Sequence, residues 1–251
     1  MPRVTPHASA APSAMKRTRS IRLSLLLALL AGSGASGAVA LQDKVATARE
    51  PKTDVLFPVS RMAEDGKTKL VLAGTGLRDK RMIFNFKVYA YGFYVDPVGA
   101  KKTLGRWNGK SMKQLKEDQG FYDALLKDDF AKSLRLVFVR DVDGDDVEEA
   151  FSGSIEPRIK KTKDKTQMRE ATKAMAKFKG FFDVKELEEG DEVIFTWLPG
   201  GKLETTVKGK RRPQIQSSAL CWALFDIYLG KKPIESKGKA TMVDRIPALL
   251  K

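Results

Sequence analysis

The sequence predicts an α+β fold in which helices cover one face of an antiparallel sheet. Three observations lead to this class. Residues 82–95 are almost entirely β-branched, aromatic or aliphatic, which indicates one long strand. Residues 165–182 place apolar side chains every three or four positions, as in an amphipathic helix. Residues 214–229 form an apolar run of helical length that ends at Gly230. Each predicted helix has an apolar side that must be buried, so we expect the helices to pack on the sheet.

Residues 1–40 have the composition of a cleavable targeting segment. They contain no Asp or Glu, basic residues between Lys16 and Arg22 precede the apolar run Leu23 to Ala31, and small residues end at Ala40. This order predicts a signal peptide cleaved after Ala40 and export of the mature protein to the periplasm or out of the cell. The abundance of Ser, Ala and Arg leaves a plastid-targeting segment as the alternative.

The rest of the chain divides into a predicted polar linker, residues 41–54, and one domain, residues 55–251. The domain opens with a short strand, residues 70–73. Gly74 and Gly76 predict a turn after it, which places Arg78 in that turn.

The long strand at residues 82–95 has two different faces, because side chains alternate along a strand. The even-numbered positions are almost wholly apolar and are predicted to enter the core, with Gly92 allowing close approach of another group. The odd-numbered positions, which include Tyr89 and Tyr91, mix rings with polar tips and are predicted to line a wetter space.

The middle of the chain alternates short helices and a strand. The patterns predict helices at 111–117 and 121–132, then a strand at 133–140. Asp141 to Gly144 predicts a turn, and Asp145 a cap for a helix from Asp146 to about Ser154. The run DVDGDD resembles a calcium loop, but Ser152 stands where the twelfth-position glutamate would be, which favours a turn and cap.

The C-terminal half supplies the helical layer and a hairpin. The helix at 165–182 carries lysines opposite its apolar side, so a membrane-surface role is an alternative to covering the sheet, which the pattern favours. Strands at 192–198 and 202–208 are predicted to form a hairpin through Pro199, Gly200 and Gly201.

Composition excludes several classes of protein. The chain has 46 Lys and Arg against 31 Asp and Glu, for a net charge of +15, but the acidic residues are interspersed and no arginine-rich stripe with stacking aromatics predicts a nucleic-acid partner.

The only histidine is His7 and the only cysteine is Cys221. Once the leader is removed, no imidazole remains, which argues against Ser-His-Asp or Cys-His catalysis and against a zinc site. No metal, cofactor or membrane-spanning segment is predicted, and the protein is expected to be a monomer.

The run GTGLR, followed by FKVYAYGFYV, resembles the chalcone isomerase superfamily, whose signature is a glycine-rich turn with an arginine and then an aromatic strand. The resemblance covers most of residues 55–245. It implies an open-faced β-sandwich, in which an antiparallel sheet is covered by a layer of helices with a ligand cleft between them.

The catalytic branch of this superfamily cyclises a chalcone to a flavanone, an intramolecular lyase reaction. The resemblance implies that it uses the turn arginine, a strand threonine, and a tyrosine and an asparagine on a later helix. Arg78 matches the arginine, but Tyr89 replaces the threonine. Counting from Gly144, Val147 and Ser154 replace the tyrosine and the asparagine. The sequence therefore predicts no catalytic residues, and the isomerase is the alternative function.

The non-catalytic branch binds fatty acids and keeps an arginine and a tyrosine for the carboxylate. Arg78 and Tyr89 match this pair, and a guanidinium fork beside a phenol suits a carboxylate chemically. The prediction is a protein that binds fatty acids or similar carboxylated lipids. The sequence leaves two plainer interpretations open. Arg78 could be a solvated residue that pairs with Asp79, with Tyr89 packing in the strand, or the domain could have only a scaffolding role.

Overall fold

The structure, a computed structural model, describes residues 46–81 and 85–251. The predicted targeting segment, residues 41–45 of the predicted linker, and residues 82–84 lie outside the described residues. Within the described ranges, no helix is long and apolar enough to cross a membrane.

The described strands and helices follow one another in runs, as in an α+β domain. The strands are β1 (Thr47–Arg49), β2 (Leu56–Pro58), β3 (Ser60–Met62), β4 (Lys69–Arg81), β5 (Asn85–Val95), β6 (Lys132–Phe138), β7 (Val142–Asp143), β8 (Glu186–Leu187), β9 (Glu192–Leu198), β10 (Lys202–Val207), β11 (Lys210–Arg211) and β12 (Ile215–Gln216). The helices are α1 (Pro97–Leu104), α2 (Met112–Glu117), α3 (Gln119–Leu125), α4 (Gly144–Ile159), α5 (Lys165–Lys179), α6 (Ser218–Leu229), α7 (Ser236–Thr241) and α8 (Ile246–Leu250).

One large antiparallel sheet organises the domain. Its strand order is β11-β10-β9-β6-β5-β4-β3, and β12 adds to β10. The predicted hairpin is confirmed: β9 and β10 pair in register, and Gly200 and Gly201 join them with φ of 84° and 71°, a backbone conformation that glycine tolerates best. The α+β class predicted from the sequence is confirmed.

The glycines of the predicted turn lie inside β4, so the prediction of a break after residue 73 is wrong. A methyl group on Gly74 would overlap the backbone of Thr241 and Met242, where α7 ends. A methyl group on Gly76 would overlap the ring of Tyr91 on the neighbouring strand. These glycines admit close neighbours rather than turning the chain.

The two faces of β5 are both covered, and the prediction of which face enters the main core is wrong. Tyr89, Tyr91 and Phe93 belong to the large core between the sheet and the helices. Ala90 and Tyr94 belong to a smaller core on the other face of the sheet.

The smaller core includes Phe57, Leu70 and Leu72. Phe57 belongs to β2, which pairs with β1. Residues 47–54, which the sequence assigns to a linker, thus begin with a strand of this small hairpin. The β1–β2 hairpin thus covers a face of the sheet that would otherwise be exposed to water.

Capping residues mark the ends of several helices. Asp164 caps α5 by accepting hydrogen bonds from the backbone N–H groups of Thr166 and Gln167, and Ser217 caps α6 in the same way through Leu220. Helix α6 ends at Gly230, as predicted. Helix α4 already begins at Gly144, so Asp145 lies in its first turn and does not cap it.

Candidate functional site

Three neighbouring strands present one row of side chains to the helical layer. Arg78 of β4 is paired with Tyr89 of β5, and Tyr89 is paired with Phe138 of β6. Directly paired residues in an antiparallel sheet lie on the same face. The two residues predicted to bind a ligand are therefore brought side by side, although Arg78 lies in a strand and not in the predicted turn. An irregularity in the β4–β5 pairing follows at once, between Arg78 and Asp79.

Arg78 is half-buried, and part of its guanidinium is held by the backbone. Its Nη1 donates to the carbonyl oxygen of Asp79 at 2.8 Å and to that of Ile234 at 3.2 Å. Nε and Nη2 have no hydrogen bond to the described residues. The sequence left open an ion pair between Arg78 and the Asp79 carboxylate. The described residues do not form this pair. The N–H groups of Nε and Nη2 are therefore available to another partner.

Tyr89 is buried, and its hydroxyl lies 2.9 Å from the hydroxyl of Tyr228 on α6. Burial raises the pKa of Tyr89 from its ordinary value, against smaller opposing effects of the Tyr228 hydrogen bond and the Arg78 charge. Burial also raises the pKa of Tyr228. Both phenols therefore stay protonated at neutral pH and can act as hydrogen-bond donors.

A cleft of about 790 Å³ opens between the sheet and the helices beside this row. Arg78 and Tyr89 both line it, so the structure brings both predicted site residues into one cavity. The apolar part of its wall comes from the sheet, from α4, and from α6 with the segment that follows it. These side chains are Val88, Phe138, Val147, Phe151, Ile227 and Ile234. A cleft of this size, with an apolar part and a polar part to its lining, has the volume of a site for a small molecule.

The rim of the cleft is charged and mixed in sign. Lys80 and Arg140 lie at the sheet side, and the guanidinium of Arg140 sits over the ring of Phe86 at 5.2 Å. Asp141, Asp143, Asp146, Glu149 and Glu186 also line the cleft. No group of three or more metal-ligating side chains in the described residues is placed to hold a metal ion.

The positions implied for the isomerase tyrosine and asparagine both lie on the α4 wall of this cleft. They hold Val147, which is buried, and Ser154, whose hydroxyl donates to the carbonyl oxygen of Ala150 at 2.9 Å. Both positions counted from Gly144 therefore line the cleft. One holds an aliphatic side chain, and the other holds a hydroxyl group that is already hydrogen-bonded within its own helix.

Tyr228 is a residue of the site that the sequence did not reveal. It lies in an apolar helix whose side chains look like ordinary core, and its ring also packs edge-on against Tyr91, with centroids 5.2 Å apart. Only the approach of α6 to β5 in the folded domain brings its hydroxyl to Tyr89.

The chain is similar to proteins of known family along most of its length. Residues 54–244 match a family described as Chalcone isomerase-like. Fatty-acid-binding protein 1 of Arabidopsis thaliana is 26% identical, over 85% of this chain and 74% of the relative. Chalcone isomerase-like protein 1 of Humulus lupulus is 31% identical, over 74% and 84% respectively. A chalcone–flavanone isomerase of Oryza sativa subsp. japonica is 28% identical, over 78% and 88%.

A solved structure supports the same grouping. The crystal structure of an Arabidopsis thaliana fatty-acid binding protein superposes with a TM-score of 0.69 and 26% identity, and covers 82% of this chain and 99% of its own. The open-faced sandwich that the sequence resemblance implied is thus the fold of this domain.

Proposed function

Because this chain belongs to the chalcone isomerase-like family, we propose that it is a non-catalytic member that binds fatty acids or similar carboxylated lipids. One observation carries the proposal: Arg78 and Tyr89 lie side by side on the wall of a cleft, next to the apolar side chains that the sheet and α4 contribute to it. The similarity to fatty-acid-binding proteins of Arabidopsis thaliana supports it.

The free part of Arg78 supplies the anchor for the carboxylate. Nη1 is held by two backbone carbonyls, which fixes the guanidinium plane. Nε and Nη2 are parallel donors on one edge of that plane, the arrangement that binds the two oxygens of a carboxylate. The ligand headgroup therefore meets a fork whose orientation is already set, which reduces the entropy lost on binding.

The tyrosine pair supplies one neutral donor. Each phenol has a single proton, and the two hydroxyls share one hydrogen bond. When Tyr228 donates to the oxygen of Tyr89, the proton of Tyr89 is free for the ligand. Tyr228 then acts through Tyr89 as a positioning residue.

The aliphatic tail is expected to lie along the apolar wall between sheet and helices. Val147 and Phe151 of α4 face the cleft from one side, and Val88 and Phe138 of the sheet from the other. Each methylene removed from water contributes about 0.8 kcal/mol. The tail thus supplies affinity, and the Arg78 fork sets which end of the ligand binds there.

We expect the purified protein to bind a long-chain fatty acid and to bind its methyl ester at least about tenfold more weakly, because the ester cannot pair with the guanidinium. Displacement of a fluorescent fatty acid measures both affinities, and mass spectrometry of lipids that co-purify identifies the natural ligand. Equal affinity for acid and ester would contradict a carboxylate site.

We expect no chalcone cyclisation above the spontaneous rate. The wall positions that the resemblance assigns to the isomerase tyrosine and asparagine hold Val147 and Ser154, and the strand threonine is Tyr89. Incubation with a hydroxychalcone, followed by chiral chromatography, measures this. Rapid formation of a single enantiomer would favour the lyase over the binding function.

A further inference from the structure

Four cations form a row along the outer side of α5. Lys165, Arg169, Lys173 and Lys177 follow one another at intervals of four residues, and all four are exposed. The buried side chains of the helix, Ala171, Ala174, Met175 and Phe178, lie on its other side. Side chains four positions apart are neighbours on a helix but are offset by about 40° around its axis, so the row runs about 18 Å along the axis and winds by about 120° around it.

The cations of the row form no ion pairs within the described part of the chain, although the exposed Glu170 lies three residues before Lys173 on the same helix. None of its four cations lies within ion-pair distance of a described carboxylate, whereas Lys179, on the flank of the same helix, pairs with Glu156 at 2.9 Å. Like charges four residues apart on a helix repel one another and destabilise the helix slightly. The row therefore costs stability in the free protein, and a polyanion laid along it would remove that cost.

The segment before the helix extends the basic surface. Lys160, Lys161 and Lys163 are exposed and likewise lack ion pairs with described residues. The acidic residues of this stretch are Asp164 and Glu170, and Asp164 is engaged in capping α5. We call the four row residues and these three lysines the α5 basic face.

We propose that the α5 basic face docks the protein on a membrane surface rich in anionic lipids. Three of the row's cations are lysines, and clustered lysines bind anionic headgroups without needing a shaped pocket. The exposed neighbours Thr166, Thr172 and Ala176 offer no ring on which a nucleotide base could stack. The choice of lipid over a polynucleotide rests on the proposed function, because fatty acids partition into membranes and a carrier collects them there.

The test is sedimentation of the protein with vesicles of phosphatidylcholine alone or of phosphatidylcholine with phosphatidylserine. Each lysine near an anionic surface is worth up to about fivefold in partition. Replacing Lys165, Arg169, Lys173 and Lys177 by glutamine should lower the partition onto phosphatidylserine vesicles by more than tenfold. Salt should have the same effect on the wild-type protein, because it screens exposed charges.

A matched variant separates this surface from net charge. It carries four glutamines in place of exposed lysines elsewhere that form no ion pair with described residues, Lys69, Lys102, Lys113 and Lys202. It changes the net charge by the same amount and should keep most of the partition. Glutamine is nearly as good a helix former as lysine, so the melting temperature of the row variant should not fall.

The proposal is overturned if the two variants lose partition equally, or if the wild-type protein binds phosphatidylcholine and phosphatidylserine vesicles alike. It is also overturned if duplex DNA displaces the wild-type protein from the vesicles and binding to the DNA is lost in the row variant, because the partner is then a polynucleotide. Fatty-acid affinity in solution, measured on the row variant, is expected to be unchanged. A failure of docking is thus distinct from a failure of the fatty-acid site.

Discussion

Replacing Arg78 by alanine should weaken fatty-acid binding by about tenfold to a hundredfold. A hydrogen bond to a charged group contributes about 1.5–3 kcal/mol, and about 1.4 kcal/mol corresponds to a factor of ten. The half-buried guanidinium supplies these bonds from the wall of the cleft, beside the apolar side chains of Val88 and Phe138. Displacement of a fluorescent fatty acid measures the change.

The loss of fatty-acid affinity should depend on how well each variant keeps the planar pair of donors that the Arg78 guanidinium offers. Arg78→Lys should restore only part of the affinity, because an ammonium cannot bind both carboxylate oxygens in one plane. Tyr89→Phe should cost less than Arg78→Ala, because it removes one hydrogen bond from a neutral donor, whereas Arg78→Ala removes a cation and its two parallel donors. Arg140→Ala is the matched control: it removes the same charge from the exposed rim of the same cleft and should have little effect.

Stability must be followed beside affinity, because Arg78 also ties β4 to Ile234 through a backbone carbonyl. If Arg78→Ala binds the ligand like the wild type, the carboxylate is held elsewhere. If affinity falls only in proportion to the melting temperature, and Arg78→Lys restores both together, Arg78 is a structural residue and the site assignment fails.

Replacing Phe178 by alanine should strongly destabilise the fold. Its ring is fully buried on the inner side of α5, with ring centroids 5.4 to 6.1 Å from those of four other phenylalanines. These partners are Phe151, Phe181, Phe182 and Phe195. Removing a buried aromatic ring costs about 3–5 kcal/mol, because the cavity collapses only partly.

Denaturant unfolding should show this loss as a lower midpoint with an unchanged slope. In a domain of this size the melting temperature should fall by roughly 6–20 °C. Thr172→Ala is the control, because Thr172 is exposed on the same helix and the change should stay within about 0.5 kcal/mol. A loss below about 1 kcal/mol for Phe178→Ala would mean that α5 is not anchored by this cluster.

The sequence determined the elements whose signals are local. The run after Ser217 and the glycine that ends it specify α6, and the glycine pair at Gly200 and Gly201 specifies the β9–β10 hairpin. The row on α5 can also be read from the spacing of its cations. Arg78 and Tyr89 were found through a family resemblance, since neither residue has a local signal that distinguishes it from ordinary strand packing.

The tertiary structure decided everything that depends on what lies against a strand or helix. Alternation along β5 shows two faces but does not show which is covered by helices, and here the β1–β2 hairpin covers the second face as well. Gly74 looks like a turn residue until α7 is seen to end against it. The hydrogen bond between Tyr228 and Tyr89 joins residues that are 139 positions apart in the chain. Such contacts between distant segments leave no periodic pattern in the sequence, because each is fixed by the packing of whole elements.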